Sequence, residues 1–425
     1  MPPRATFRDV FADREFRAVW FSEILSVTGD RLALVALTLL VFHQTNSPLL
    51  AGLAYAAGYL PWVIGGLFLA DIADRQPRRT VMVVCDVVRA VLVAAMALPG
   101  MPLLVLVGLL FATTMFAPPF ESARAAITPD ILQGEKYVLG AAVFQTTVLA
   151  GQVVGAAAGG LAVAFIGVRA SLVVNAATFA LSGLLIGFGT RARPAAAKPA
   201  ADPMSPLARM AGGFRLVFGD RALRTLLLLG LLVVFYTVPE GIAAPYAKEL
   251  GGGPIATGVV LASTCLATTI ATPLFTRFVR PRQRLNMMGP LAVLTCATLV
   301  LTALRPGLAV SLVIFSLSAT FGIYQIAANT AFVVRVPNER RAQAFGIANM
   351  GVVVGQGAAF VAAGAAAEVI SPAAVIAVAG GIGAVIAFVL TLRWRHVSPP
   401  GGRHAAVRRP GHAAARRSVP LRESR

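Results

Sequence analysis

Charge is scarce in this chain: Lys, Arg, Asp and Glu make up 13% of 425 residues, against about a quarter in soluble domains. A water-soluble fold of this length needs far more charged surface and is excluded. Cysteine is nearly absent. Cys85, Cys265 and Cys296 all fall inside apolar runs, which rules out a disulfide framework or metal-ligand spacing and leaves small buried side chains as their role. The four histidines, His43, His396, His404 and His412, lie in loops or the C-terminal tail. A proton relay within the apolar runs must therefore rest on carboxylates. A phosphate loop of the form G-x-x-x-x-G-K-[ST] occurs nowhere, which argues against an ATP-driven pump. No cofactor and no metal is expected. The N-terminal stretch before the first apolar run carries both acids and bases, without the continuous apolar core and small-residue cleavage site of a signal peptide, so the first span should be retained.

What is abundant is apolar length. Hydrophobic residues make up 57% of the chain and its mean hydropathy is +0.77. Runs of roughly 20 apolar residues recur, each long enough to cross the hydrocarbon core of a bilayer as a helix. We place spans at 18–41, 48–70, 80–98, 102–120, 138–165 and 169–190, then at 222–245, 254–276, 285–304, 307–330, 343–366 and 372–392. The expected fold is an all-α integral membrane protein with twelve transmembrane helices in two six-helix bundles. Its parts are an N-terminal segment 1–17, a bundle 18–190, a linker 191–221 rich in Ala, Pro and Arg, a bundle 222–392 and a basic tail 393–425.

Orientation follows from Lys and Arg, which favour cytoplasmic loops. With both termini inside, 32 of the 37 basic residues fall on the cytoplasmic side, counting Arg224 at the inner end of the seventh span. Only Arg169, Lys248 and Arg305 lie outside, and Arg31 and Arg89 lie within spans. The net charge of +19 thus reflects topology, and no nucleic-acid partner is expected. The location is the cell membrane, multi-pass, with the lipid bilayer as partner. The tail is low in complexity and should be drawn to anionic lipid.

The halves echo each other, as internal repeats of transporters do: an arginine precedes the apolar run in EFRAVWFSEIL and in ALRTLLLLGLL, and Gly151, Gly155 and Gly159 have a weaker echo in Gly351 and Gly355. The loop after span 2 reads GGLFLADIADRQPRRT. It resembles the loop signature of the major facilitator superfamily, with Asp74, Arg75, Arg78 and Arg79 matching, and Ala70 and Pro77 departing from the usual residues. The resemblance implies a conformational gate in which Asp74 faces a helix N-terminus and the arginines pair with carboxylates; Glu121 is the expected partner of Arg75 or Arg78. Span 5 reads AGQVVGAAAGG. It is similar to the glycine motif of facilitator antiporters through Gly151, Gly155, Gly159 and Gly160, with Ala156 where proline is usual. Small-residue packing alone would also explain it. Residues 8–392 look like the branch containing the enterobactin exporter and macrolide-efflux proteins, which implies proton-driven export of small amphipathic molecules.

Ionisable residues at membrane depth are functional candidates by default. Asp30 and Arg31 follow Gly29 near the middle of span 1. Asp30 is the first choice for proton loading, and a fixed Asp30–Arg31 pair is the alternative. Glu240, in VPEGIAAPYAKEL, is either a cation- or proton-binding group or a solvated outer helix end. Pro239, Gly241 and Pro245 should break span 7 there and free backbone carbonyls. Asp86 and Arg89, three apart, form a structural pair. Glu23 should reach the interface. Tyr55, Tyr59, Phe235, Tyr236, Phe321 and Tyr324, with Gln325 and Asn329, are candidates for a substrate cavity, though ordinary packing explains most aromatics in spans. The reading is not an enzyme but a secondary transporter whose partners are a small molecule and protons, without ATP. Uptake, a non-transporting sensor and a prenyl-transferring enzyme remain as alternatives. The last would need a second Asp-rich loop besides that of Asp71 and Asp74, and none is present.

Overall fold

The computed structural model describes residues 6–68, 76–193, 206–337 and 340–397. Asp74 and Arg75 of the loop signature, and the basic tail beyond Val397, lie outside the described residues.

The N-terminal half carries six crossing helices. α1 (Arg14–Thr45) starts where the Asp13 carboxylate caps the amides of Glu15 and Phe16, and it ends at Asn46 in the left-handed region. α2 (Pro48–Gly65) begins with Ser47 as cap and is interrupted at Ala57–Tyr59. α3 (Arg78–Met96) and α4 (Leu103–Ile131) follow. The run Glu135–Gly189 is broken at Gly167, with φ 77° and ψ 166°. Packing against α1 shows what that break does. Along 135–166 (α5), Gly151, Gly155 and Gly159 meet Val27, Thr28 and Val35 in turn, so α5 runs parallel to α1. Along 168–189 (α6), Gly29 meets Asn175, Ser22 meets Ser182 and Ala18 meets Gly189, so α6 runs against α1. The chain reverses at Gly167, where glycine alone adopts the required backbone without strain.

The second half repeats the plan. A helix at Pro206–Gly219 lies against the start of α11, and Asp220 caps α7 (Arg221–Gly241). α7 is fragmented at Leu232, Thr237 and Ile242, and continues as Ala243–Glu249. The expected break around Pro239 and Pro245 is therefore present. α8 (Pro254–Phe278), α9 (Gln283–Leu304), α10 (Leu308–Arg335), α11 (Gln343–Ala367) and α12 (Pro372–His396) complete it.

Among the described residues, ten helices are long and apolar enough to cross a membrane, and one of them, Glu135–Gly189, is a double crossing. α3 makes the twelfth, its apolarity lowered by Asp86 and Arg89. Large apolar side chains such as Leu104, Phe165, Phe188 and Val385 stay exposed around the outside, as lipid-facing positions do. Several helices outrun their apolar stretches: α4 reaches Ile131 and α10 reaches Arg335.

The core shows how the halves meet. One cluster of buried residues draws from both halves, including Leu37, Tyr55 and Met96 with Ile242, Tyr246 and Phe360. It sits at the end where α1 passes into α2. At the opposite, basic end the clusters separate: Phe16, Met82, Phe120 and Phe144 belong to the first half, and Leu226, Met288, Tyr324 and Phe332 to the second. Polar contacts agree. Glu368, at the end of α11, accepts from the Ser47 hydroxyl at 2.5 Å and the Leu49 amide at 3.1 Å. Lys248 donates to Asn46 at 2.8 Å. Backbones touch where Gly160 on α5 meets Gly258 on α8, since a Cβ at Gly160 would lie 2.6 Å from the Pro254 carbonyl oxygen. The halves are joined at this end, and a cavity lies between them on the basic side.

Candidate functional site

That cavity, about 340 Å³ in volume, is walled by α1 to α5 and by α11. Among the described residues, four Asp, Glu, Lys or Arg side chains line it: Asp30, Arg31, Arg89 and Glu121.

Asp30 pairs with Arg89 of α3 and not with Arg31. This corrects the fixed-pair alternative. Adjacent residues on a helix point about 100° apart, so Asp30 and Arg31 cannot share a face. Asp30 is 38% exposed to the cavity, whereas Arg89 is 1% exposed and Asp86 fully buried. Arg89 also lies 3.8 Å from Asp86, donates to the Ser26 hydroxyl at 2.9 Å, and stacks over the Phe179 ring at 4.2 Å. The expected Asp86–Arg89 pair is thus one side of a triad in which Asp30 is the closer partner. Ser182 ties Asp86 to α1: it donates to Asp86 at 2.5 Å and hydrogen-bonds Ser22 at 2.6 Å. Ser22, Ser26 and Asp30 recur every four residues on one face of α1. That spacing was the available sign of a polar seam.

Toward the basic end, Arg124 pairs with Glu121 and lies 2.9 Å from Glu23, without hydrogen-bond alignment in the latter case. Two expectations change. Glu121 is engaged by Arg124, while Arg78 pairs with Asp130 and donates to the Ala126 carbonyl. Glu23 does not reach the interface; it is fully buried. Arg124 was missed because no motif marks it, although its place three residues after Glu121 is pair spacing. Arg79 donates to the Gly187 carbonyl and ties α3 to α6.

Arg31 faces another way. Its guanidinium donates to Gln152 of α5 at 3.0 Å and to the Tyr59 hydroxyl at 3.3 Å. Tyr55 and Tyr59 in turn donate to Glu240 of α7 at 3.3 and 3.4 Å. Glu240 is therefore not a solvated helix end. The break in α7 turns it inward, against α2 of the other half, and it lines a second cavity of about 320 Å³.

This second cavity is walled by α5, α7, α8, α9 and α10, with Gln152 bordering both cavities. Tyr236 and Gln325 line it, and Asn329 lines an adjoining space with them. Tyr55 does not line the cavity; its hydroxyl meets the Glu240 carboxylate and its ring packs against Tyr59 and Phe360. Phe235, Phe321 and Tyr324 do not line these cavities. Tyr324 is fully buried, with its hydroxyl on the Leu229 carbonyl at 2.8 Å, and Gln325 takes the Gly230 carbonyl at 2.8 Å. The Leu229 and Gly230 carbonyls, beside the first break in α7 at Leu232, are thus satisfied by α10.

The glycine motif divides by face. Gly151, Gly155 and Gly159 bring α5 onto α1, with a Cβ at Gly155 only 2.7 Å from the Thr28 oxygen, whereas Gly160 meets α8 across the halves.

The sequence profile of the major facilitator superfamily matches residues 19–350. A multidrug efflux pump Tap from Mycobacterium tuberculosis (strain ATCC 25618 / H37Rv) is 23% identical over 342 residues, covering 77% of this chain and 81% of that protein. The pump of the same name from Mycolicibacterium fortuitum is 27% identical over 233 residues, covering 52% and 56%. Among solved structures, the nucleoside transporter NupG superposes with a TM-score of 0.71 at 16% identity, covering 89% of this chain and 99% of that one. A POT family transporter in complex with a thioalcohol-conjugated peptide gives 0.70 at 13% identity, covering 94% and 99%. With the profile spanning most of its length and the fold shared with these transporters, the chain belongs to the major facilitator superfamily.

Proposed function

We propose that this protein is a proton-coupled exporter of small amphipathic molecules that works by alternating access. The observation that carries the reading is the placement of Asp30: a half-exposed carboxylate on the wall of a cavity between two halves that, among the described residues, pack together at the end where α1 passes into α2. The efflux function named for the Tap relatives favours export over uptake.

The basic end faces the cytoplasm, by the distribution of Lys and Arg, so both termini are cytoplasmic and the arrangement described is open inward. Proton chemistry rests on the triad. Ionised Asp30 holds Arg89. A proton arriving at Asp30 Oδ1 removes that partner, and Asp86, 3.8 Å away, keeps the guanidinium from being left uncompensated in a low-dielectric interior. Arg89 then moves toward Asp86, withdrawing from the cavity wall, and α1 and α3 adjust against each other. Loss of the proton restores the pair. Each cycle couples a proton to a change in the walls of the cavity, which is what exchange of a proton for a solute requires. Arg78 and Arg79 hold α3 to α4 and α6, so that this change moves the first half as a body. Together with Asp74 and Arg75 they serve as the gate at the inner mouth. The two six-helix bundles rock around the cavity.

The test is accumulation of a panel of fluorescent compounds in an efflux-deficient host at matched membrane expression. The wild type should lower accumulation of at least one amphipathic compound, and both a protonophore and Asp30→Asn should abolish the effect. Protonophore-sensitive export surviving Asp30→Asn would remove Asp30 from the mechanism.

A further inference from the structure

Glu240 is a carboxylate without a cation. Among the described residues it takes part in no ion pair. Its hydrogen bonds come from two neutral hydroxyls at 3.3 and 3.4 Å, well beyond the 2.5–2.7 Å typical of a hydroxyl on a carboxylate. The nearest guanidinium, that of Arg31, is spent on Tyr59 and Gln152 and reaches Glu240 only through the Tyr59 hydroxyl. Removal of an ionised carboxylate from water demands a close partner of opposite charge, and the described residues supply none. The side that the tyrosines leave free lines the second cavity, whose walls carry Glu240 as their one Asp, Glu, Lys or Arg among the described residues. The rest of the wall is apolar or neutral: Val233, Tyr236, Thr268 and Phe315 are typical. A volume of about 320 Å³ is within the range of small-molecule sites, roughly 300–1,000 Å³.

We infer that Glu240 is the binding point for an organic ammonium group of the transported molecule, and that this group displaces the Tyr55 and Tyr59 hydroxyls from the carboxylate. The inference rests on the transporter reading and deepens it by naming a ligand class. The walls take the apolar body of the molecule, and the Tyr236 ring adds a face for the cation. Displacement has a mechanical result. Tyr55 and Tyr59 belong to the first half and Glu240 to the second, so the hydroxyl–carboxylate bonds bridge the halves beside the joined end. A bound ammonium takes the carboxylate from that bridge, and substrate loading thereby loosens the contact that must part for the outer end to open. A neutral molecule of the same shape fills the cavity but leaves the bridge in place.

The test uses equilibrium binding to the purified full-length protein, with no proton gradient, so that it stands apart from proton coupling. The probes are a dansyl group on an alkyl chain ending in trimethylammonium and the same molecule ending in tert-butyl, which differ in charge at constant shape. Glu240→Gln should weaken binding of the ammonium probe at least tenfold and change the tert-butyl probe less than twofold. The double variant Tyr55→Phe with Tyr59→Phe should tighten the ammonium probe severalfold, since its competitors for the carboxylate are gone. Should Glu240→Gln fail to fold, Glu240→Asp serves, with a smaller loss confined to the ammonium probe. Equal loss of both probes, no loss of either, or tyrosine variants that weaken the ammonium probe would overturn the inference. A charge-selective loss at Glu240 in a protein that proves not to be proton-coupled would uphold this site and reject the proton mechanism alone.

Discussion

The two halves share a plan but not a chemistry. In the first half, Asp30, Arg31, Arg89 and Glu121 line the cavity, and behind them Asp86 and Glu23 are fully buried and Arg124 nearly so. The cavity-lining part of the second half holds Glu240 as its one Asp, Glu, Lys or Arg among the described residues, and otherwise aliphatic side chains, hydroxyls, amides and aromatic rings. Buried charges are tolerated in the first half because they neutralise one another in short-range groups. Glu240 has no such group. On the proposed mechanism this difference divides the tasks: charge exchange falls to the half with paired charges, and solute recognition to the half with an apolar wall and one open carboxylate.

The sharpest way to break this contrast is to remove Arg89. Arg89→Ala leaves Asp86 buried and uncompensated, a change worth about 3–5 kcal/mol when a buried pair loses one partner. We expect a large loss of thermal stability in detergent and little folded protein. Asp86→Asn with Arg89→Gln, which removes both charges and keeps polar shape, should recover most of the yield. Thermal unfolding of the two proteins checks this. A second comparison uses the repeated glycines. Gly155→Ala forces a Cβ to within 2.7 Å of both the Thr28 oxygen and Arg31, whereas Gly351→Ala meets only the end of the Leu231 side chain at 3.4 Å. Overpacking costs about 1–3 kcal/mol, so Gly155→Ala should impair both stability and export, and Gly351→Ala neither.

The smallest effect concerns the latch at the joined end. The Ser47 hydroxyl and then the Leu49 amide hold the Glu368 carboxyl below its ordinary range. A carboxyl lowered in the latched state strengthens the latch above its ordinary pKa, and that contribution is lost as pH falls through the lower, latched value. Glu368 is exposed to water, so the effect should be slight. Reactivity of a cysteine placed at Ala363, beneath the latch, should rise modestly at acid pH in the wild type and rise less in Ser47→Ala, which keeps only the Leu49 amide on the carboxylate, as thiol labelling with a neutral reagent would show.

The fold was legible because each crossing is an apolar run. Even α3, interrupted by Asp86 and Arg89, keeps enough apolar length around them. Helix ends were less legible. The stretch ESARAAITPDI and the end of α10 are polar or charged but contain good helix formers, so the helices run on past the apolar segment. Site residues were legible one at a time: Asp30 and Glu240 stand out as charges in apolar surroundings. Their partners were not. Arg89 lies 59 residues from Asp30, and Tyr55 lies 185 residues from Glu240. Such pairings depend on how each helix is rotated about its axis, which composition does not encode. Glu240 looked like an outer helix end because the sequence does not show that α2 packs over it.

The central claim is that Asp30 carries the proton while Glu240 carries the solute. Its most direct test is proton movement in proteoliposomes holding a pH-sensitive dye, with the trimethylammonium probe supplied on one side. The account predicts that the wild type moves protons against the probe. Asp30→Asn should bind the probe within twofold of wild type yet move no protons, and Glu240→Gln should lose both binding and probe-driven flux. Proton flux persisting in Asp30→Asn, or probe binding lost with Asp30 and retained without Glu240, would contradict the division of labour between the halves.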